Sequence, residues 1–341
     1  MTPDPSVRQT PSSADPALRV RANLLLVLTA AIWGLGFVAQ RLGADHMGAM
    51  SFNAARFAIG AVSLLPLIWW FGRRRRSAPL VVPGPPAGEV YDETPPRGGE
   101  DRSPLLPGLV AGAVLFSAAG LQQLGIATTT AGKAGFITGL YIVLVPVLGL
   151  ALGHRAGVPV WVGLGLAVPG LWLLSMTEDL TISAGDLLVL AGALFWALHI
   201  LVIDSFVRSV DALKLSAAQF AACALLSGGV ALVVEDRPFA GLGPALGAVL
   251  YGGLFAVGVA YTLQVVAQRH AKPSHAALIL SLEAVFGALG GWLLLDEVMS
   301  GRMLLGCTLV MAGILVSLRG TGAAGEAEAP IMGRSCDEVG S

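Results

Sequence analysis

Ten apolar blocks, each about as long as one bilayer crossing, follow one another between Asn23 and Leu318. A helix rises about 1.5 Å per residue, so roughly 20 apolar residues cover the hydrocarbon core. The blocks fall at 23–41, 50–71, 105–127, 133–152, 157–174, 184–203, 215–234, 243–266, 273–294 and 301–318. This pattern predicts an all-α integral membrane protein with ten transmembrane helices. Hydrophobic residues make up 55% of the chain and charged residues 13%, about half the charged share of a soluble domain. The 44 glycines suit membrane helices, whose backbones approach closely where side chains are small. A net charge of −1 favours neither acidic nor basic partners, and nothing in the sequence points to nucleic acid.

The distribution of charge says more. With the N-terminus in the cytoplasm, the inside segments carry sixteen Lys and Arg and the outside segments four: Arg41, Lys133, Arg237 and Arg302. That asymmetry places both termini in the cytoplasm. The run Arg73-Arg74-Arg75-Arg76 follows Trp69-Trp70-Phe71 and reads as a topology anchor at the interface, with a lipid-headgroup contact as the second reading. The first apolar block reaches full span length without a cleavage signature and reads as an uncleaved signal anchor. Residues 1–22, the Pro-rich stretch 73–104 and the tail 319–341 are too polar to bury a core and are expected to be disordered.

The chain also repeats itself. Residues 133–174 match 276–317 at an offset of 143, pairing Gly163 with Gly306 and Gly170 with Gly313. Near the start of each half the offset is 163, pairing Ala30 with Ala193 and Trp33 with Trp196. The long stretch 73–104, whose counterpart at 235–242 is short, accounts for the change in offset. The two units are 23–174 and 184–318. Each holds five spans, an odd number, so the second enters the membrane from the opposite side. Inverted repeats of this kind recur among secondary transporters, where two related halves exchange conformations about a central site.

The motifs carried by these repeats are Trp33-Gly34-Leu35-Gly36-Phe37 in span 1 and Asn53-Ala54-Ala55-Arg56-Phe57 in span 2. Span 9 reads Ser281-Leu282-Glu283-Ala284-Val285-Phe286, then Leu295-Asp296-Glu297, with Gly306 in span 10. In order, spacing and duplication they resemble the paired domains of the EamA family of the drug/metabolite transporter superfamily. The resemblance covers nearly all of 23–318. Two positions depart from it: the family often has Glu-Pro in span 9, where Ala284 follows Glu283, and His154 stands where the second copy has Glu297. The resemblance implies a basket of ten helices, with spans 1–4 and 6–9 around a cavity. It also implies ATP-independent movement of small organic molecules, often export of amino acids or other metabolites, across the inner or plasma membrane of a bacterial cell. The sequence has no Gly-x-x-x-x-Gly-Lys phosphate loop.

Glu283 is the sharpest site candidate. A carboxyl at mid-bilayer costs several kcal/mol unless it is paired, neutralised or facing water. It can hold a proton, a cationic group or a hydroxyl, or sit neutral against a helix backbone. Arg56 can hold a carboxylate with its planar guanidinium, or snorkel outward. Trp33, Phe37, Tyr141 and Trp196 lie near span centres, where aromatic residues suit either a cavity wall or plain packing. Tyr141 falls one position from Leu140, the counterpart of Glu283, so the two copies offer different polar groups at similar depth. Gln122, Gln123, Tyr261 and Gln264 add neutral donors and acceptors, and His199 is a candidate proton shuttle or a satisfied buried histidine.

No pair among His46, His154, His270 and His275 suggests a metal. Cys223, Cys307 and Cys336 fit neither a disulfide framework nor a zinc site. The Asp296-Glu297 pair reads as a polar cap on the outer boundary. No cofactor or catalytic set is expected. The partners are a small-molecule substrate and the lipid bilayer, with protons as a candidate coupling ion. Two other classes stay open at this level: a membrane sensor or scaffold without net transport, and an integral membrane enzyme.

Overall fold

A computed structural model describes residues 16–77, 103–129, 131–154, 156–175, 183–294 and 299–326. All regular structure among them is helical. The helices run α1 (Pro16–Ala44), α2 (Ala49–Ser77), α3 (Leu105–Ile126), α4 (Ala131–Gly139), α5 (Tyr141–Ala151), α6 (Val158–Ser175), α7 (Ala184–Phe206) and α8 (Ala212–Val234). They continue as α9 (Leu246–Leu250), a π-helical stretch (Tyr251–Tyr261), α10 (Thr262–Gln268), α11 (Pro273–Leu280), α12 (Leu282–Leu294) and α13 (Gly301–Glu326). Among the described residues, eight helical segments are long and apolar enough to cross a membrane. Two more, Val158–Leu174 and Pro273–Leu289, are apolar but shorter.

Helix boundaries overrun the apolar blocks at three places. Residues 16–22 continue α1, 73–77 continue α2 and 319–326 continue α13, although the sequence places all three in polar tails. Extending an existing helix is far easier than starting one, and Arg and Ala are good helix formers. Of the segments expected to be disordered, residues 1–15, 78–102 and 327–341 lie outside the described residues, as do Asp296-Glu297 and Cys336.

Two blocks expected to be single helices are interrupted near their midpoints. Leu140 separates α4 from α5 and Ser281 separates α11 from α12. At each break the backbone tightens to an i→i+3 bond, from Val143 N to Leu140 O at 3.0 Å and from Ala284 N to Ser281 O at 3.2 Å. Ser281 also spends its hydroxyl on the Leu278 carbonyl at 2.7 Å, a local bond that competes with the helix ladder. No proline is needed for this break, so the departure at Ala284 leaves the interruption in place.

Helix α6 packs on α13, α2 on α8 and the π-helical stretch, α3 on α7 and α8, and α1 on α12 and the π-helical stretch, with α4 and α5 against α7. Exchanging the two halves of the chain leaves this set of pairings unchanged. The α6–α13 crossing is close. A Cβ on Gly163 would stand 2.6 Å from the Gly313 carbonyl oxygen, and one on Gly306 would stand 2.7 Å from the Gly170 carbonyl oxygen. Only glycine lets the two backbones meet there. Large apolar side chains such as Val62, Leu225 and Val233 are exposed around the outside, as a lipid-facing surface requires.

Candidate functional site: a polar chamber among the helices

The apolar packing encloses a small chamber lined by α1, α2, α3, α4, α5, α7, the π-helical stretch, α10, α11 and α12. Its free volume is about 40 Å³, enough for a few water molecules. Of the residues singled out in the sequence, Trp33, Phe37, Arg56, Gln122, Tyr141, Trp196, His199, Tyr261, Gln264 and Glu283 all line it. Gln123 does not: its Nε2 donates to the Gln40 carbonyl at 3.1 Å, behind the wall.

Tyr261 is the hub of an aromatic cluster. Its ring centre lies 4.5 Å from that of Trp33, 5.9 Å from Trp196, 6.1 Å from Phe57 and 6.0 Å from Phe220. Trp33 with Trp196, and Phe57 with Phe220, are pairs at the 163-residue offset. Two matched pairs, one member from each half, therefore bracket a single tyrosine. The π-helical turns that deliver Tyr261 also bring the Ala256 carbonyl to Trp33 Nε1, which donates to it at 3.0 Å. π-Helical turns inside longer helices are common at functional sites.

The cation of the chamber is Arg56, 3% exposed. Its Nε donates to Asn53 Oδ1 at 2.8 Å, one turn back on α2. Its guanidinium carbon lies 5.0 Å from the Phe57 ring centre and 5.5 Å from that of Phe52. Among the described residues it meets no carboxylate within ion-pair distance and bonds no side chain but Asn53. The equivalent of Arg56 in the second half is the neutral Gln219, which is held by the His199 ring at 2.8 Å. The two halves thus present different charge at matched positions.

The carboxyl of the chamber is Glu283, 4% exposed, in the first turn of α12 just beyond the break at Ser281. The start of a helix favours an acidic group electrostatically. On its flank α1 crosses α12 closely: a Cβ on Gly34 would meet the Glu283 carbonyl at 2.6 Å and the Gly287 amide at 2.7 Å. Tyr141 lies just beyond the other break, as the first residue of α5 where Glu283 is the second of α12, and is an electrostatic neighbour of Glu283.

Several buried polar atoms on lining residues have no partner among the described residues: Tyr141 Oη, Glu283 Oε1, Gln264 Oε1 and His199 Nδ1. Each such atom costs about 1–3 kcal/mol while it stays unbonded. Other lining side chains bond one another. Trp196 Nε1 donates to Gln122 Oε1 at 2.6 Å, Gln122 Nε2 to Gln40 Oε1 at 3.1 Å, and Gln264 Nε2 to Gln268 Oε1 at 3.0 Å. Part of the wall is therefore an amide network, and other atoms on it are unspent donors and acceptors.

Gln40 and Thr138 also line the chamber and are not apparent as candidates in the sequence. A face reading finds them: Gln40 follows Trp33 and Phe37 at helical spacing, and Thr138 precedes Tyr141 by three. The supporting residue Asn53 opens the span 2 motif, whereas Gln219 and Gln268 carry no sequence signal of their own.

Comparison with known proteins gives a consistent picture. The family model described as EamA-like transporter family matches the chain twice, over residues 20–176 and 183–319. An uncharacterized transporter from Archaeoglobus fulgidus is 30% identical over 311 residues, covering 90% of this chain and 89% of the relative. The uncharacterized transporter YoaV of Bacillus subtilis is 23% identical over 309 residues, covering 87% and 97%. One crystal structure superposes with a TM-score of 0.69 at 18% identity, covering 90% of this chain and 99% of the other. That last likeness is one of fold.

Proposed function

This chain belongs to the EamA-like transporter family, and from that premise we propose that it is a secondary transporter that carries a small organic metabolite through the Arg56–Glu283 chamber by alternating access. The observation that carries this reading is a guanidinium and a carboxyl, both buried and not paired with each other, on the wall of one aromatic chamber. A buried cation and a buried acid left apart are costly, and a ligand with complementary groups removes that cost. An amino acid fits the pattern. Its carboxylate takes the fork of Arg56, its ammonium meets Glu283, Tyr141 and Gln264, and its side chain lies against Trp33, Trp196 and Tyr261. Export is the direction the family resemblance favours.

The mechanism follows from a ten-span basket of two inverted five-helix units, in the inner or plasma membrane, with both termini cytoplasmic. Support comes from the twofold family match, from a packing scheme unchanged when the halves are exchanged, and from matched breaks at Leu140 and Ser281. Discontinuous helices in corresponding places of two halves are a feature of transporter binding sites. A free volume of about 40 Å³ is too small for an amino acid, so loading requires one wall to move. The glycine crossing of α6 and α13 is the natural pivot, because its tight backbone contact holds while the flanking helices rock. Glu283 is the candidate proton carrier.

The test is substrate counterflow and efflux in vesicles with purified protein, screened over amino acids and related metabolites. Arg56→Gln is expected to weaken the half-saturating substrate concentration about 10- to 100-fold, the value of a charge-assisted bond of about 1.5–3 kcal/mol. Saturable binding without any flux in the same vesicles would assign the protein to sensing instead.

A further inference from the structure

A second cavity opens at the end of the molecule where α13 finishes. Its volume is about 610 Å³, and it shares no lining residue with the central chamber. The loop after α5 contributes His154, the end of α7 Asp204 and the turn beyond it Arg208. The start of α11 contributes Lys272, Ser274 and His275, and α13 contributes Ser317. Two basic side chains, Arg208 and Lys272, thus share the wall with one carboxylate. Asp204 precedes Arg208 by four residues and is its electrostatic neighbour, so it offsets one of them.

Helix α11 begins at this cavity. Lys272 stands at its N-cap position without a side-chain capping bond, and Pro273 occupies the first turn, so the partial positive charge of the helix start is left to the cavity. Independently, two lining side chains are more than nine-tenths buried and have unpartnered polar atoms among the described residues. His275 is 8% exposed with Nε2 unbonded, and Ser317 is 1% exposed with Oγ unbonded. Burying such groups is unfavourable unless something bonds them.

We propose that this cavity is a separate oxyanion site, which takes one carboxylate or phosphate group between Arg208 and Lys272 with His275 and Ser317 as uncharged partners. Asp204 limits the excess positive charge, so the site suits a singly charged group better than a polyanion. A substrate carboxylate, free phosphate and a phospholipid headgroup share this chemistry. The site stands whether or not the central chamber carries substrate, because no residue is common to both.

The experiment uses the full chain in neutral-lipid nanodiscs, with Cys223, Cys307 and Cys336 replaced by alanine and Ser274→Cys added as a reporter. Maleimide labelling of the reporter is timed against inorganic phosphate and acetate at constant ionic strength set with chloride. The expected result is saturable slowing by either oxyanion. In the Arg208→Gln/Lys272→Gln double variant the half-protecting concentration rises about threefold or more, because both cations are exposed and their contacts are screened. A parallel phosphate thermal-shift titration on the protein without the reporter should saturate over the same range and guards against a reporter that disturbs the site. Slowing by phosphatidylglycerol nanodiscs without free oxyanion assigns the site to a headgroup, by the same contacts. Labelling and melting both indifferent to oxyanions, or protection unaltered in the double variant, overturns the proposal. Neither readout involves flux, so failure here is distinct from failure of the transport reading.

Discussion

At the scale of single residues, charge at depth is the central fact. Arg56 and Glu283 are each almost wholly buried, and neither has the other as a partner. Arg56→Lys keeps the charge but loses the planar fork, so its transport defect should fall between those of the native protein and Arg56→Gln. A defect equal to that of Arg56→Gln would mean that shape rather than charge is recognised. Glu283→Gln keeps the size of the side chain and removes the titrating proton. Substrate exchange is expected to persist in that variant while flux driven by a pH gradient is lost, measured in the same vesicles. Identical flux at every pH in native and variant protein would take Glu283 out of the coupling. Tyr261 belongs to this scale too, because four large aromatic rings converge on it from both halves of the chain.

Among the elements, the junction of α2 and α8 shows how a helix end is held from outside. Glu235, at the end of α8, accepts from the Met50 and Ser51 amides at 2.8 and 3.2 Å, and the Ser51 hydroxyl donates to its other oxygen at 2.5 Å. The orphan amides that open α2 are thus capped by another helix. Glu235→Ala should cost about 0.5–2 kcal/mol, the usual worth of a cap, read as a lowered melting temperature in detergent. No change in melting would mean that solvent caps α2 equally well. The broken helices α4–α5 and α11–α12 matter for a different reason. They place Tyr141 and Glu283 at helix starts, where one apolar block read as a continuous helix would bury them in a regular ladder.

In the whole molecule, the glycine crossing relates the two halves. Gly163 meets Gly313 and Gly170 meets Gly306, so each half offers the same pair of positions to the other, as a twofold contact demands. Gly163→Leu should destabilise the protein by about 1–3 kcal/mol through overpacking. Gly165→Ala, where a Cβ meets nothing within 4 Å, should be neutral or slightly stabilising. Equal melting of both variants would deny the crossing its structural role. Impermeant thiol labelling of cysteines at Arg21, Arg41, Arg208 and Arg237 tests the orientation. Positions 21 and 208 should react from the cytoplasmic side, 41 and 237 from the other.

Sequence alone determined the solvent and the helical class, because apolar blocks of span length leave the chain few alternatives to membrane helices. It also marked most of the chamber, since an arginine, a glutamate and central aromatic residues are conspicuous where nearly everything else is aliphatic. Which of two neighbouring glutamines faces inward was a matter of helix rotation, which only packing against α1 and α7 could fix: Gln122 lines the chamber and Gln123 does not. Tertiary structure alone likewise decided the breaks at Leu140 and Ser281, the π-helical delivery of Tyr261, and the meeting of His154, Arg208, Lys272 and His275 in one cavity. Those four residues come from three separate loops or helix ends, and no periodicity within a single segment records a contact made between segments.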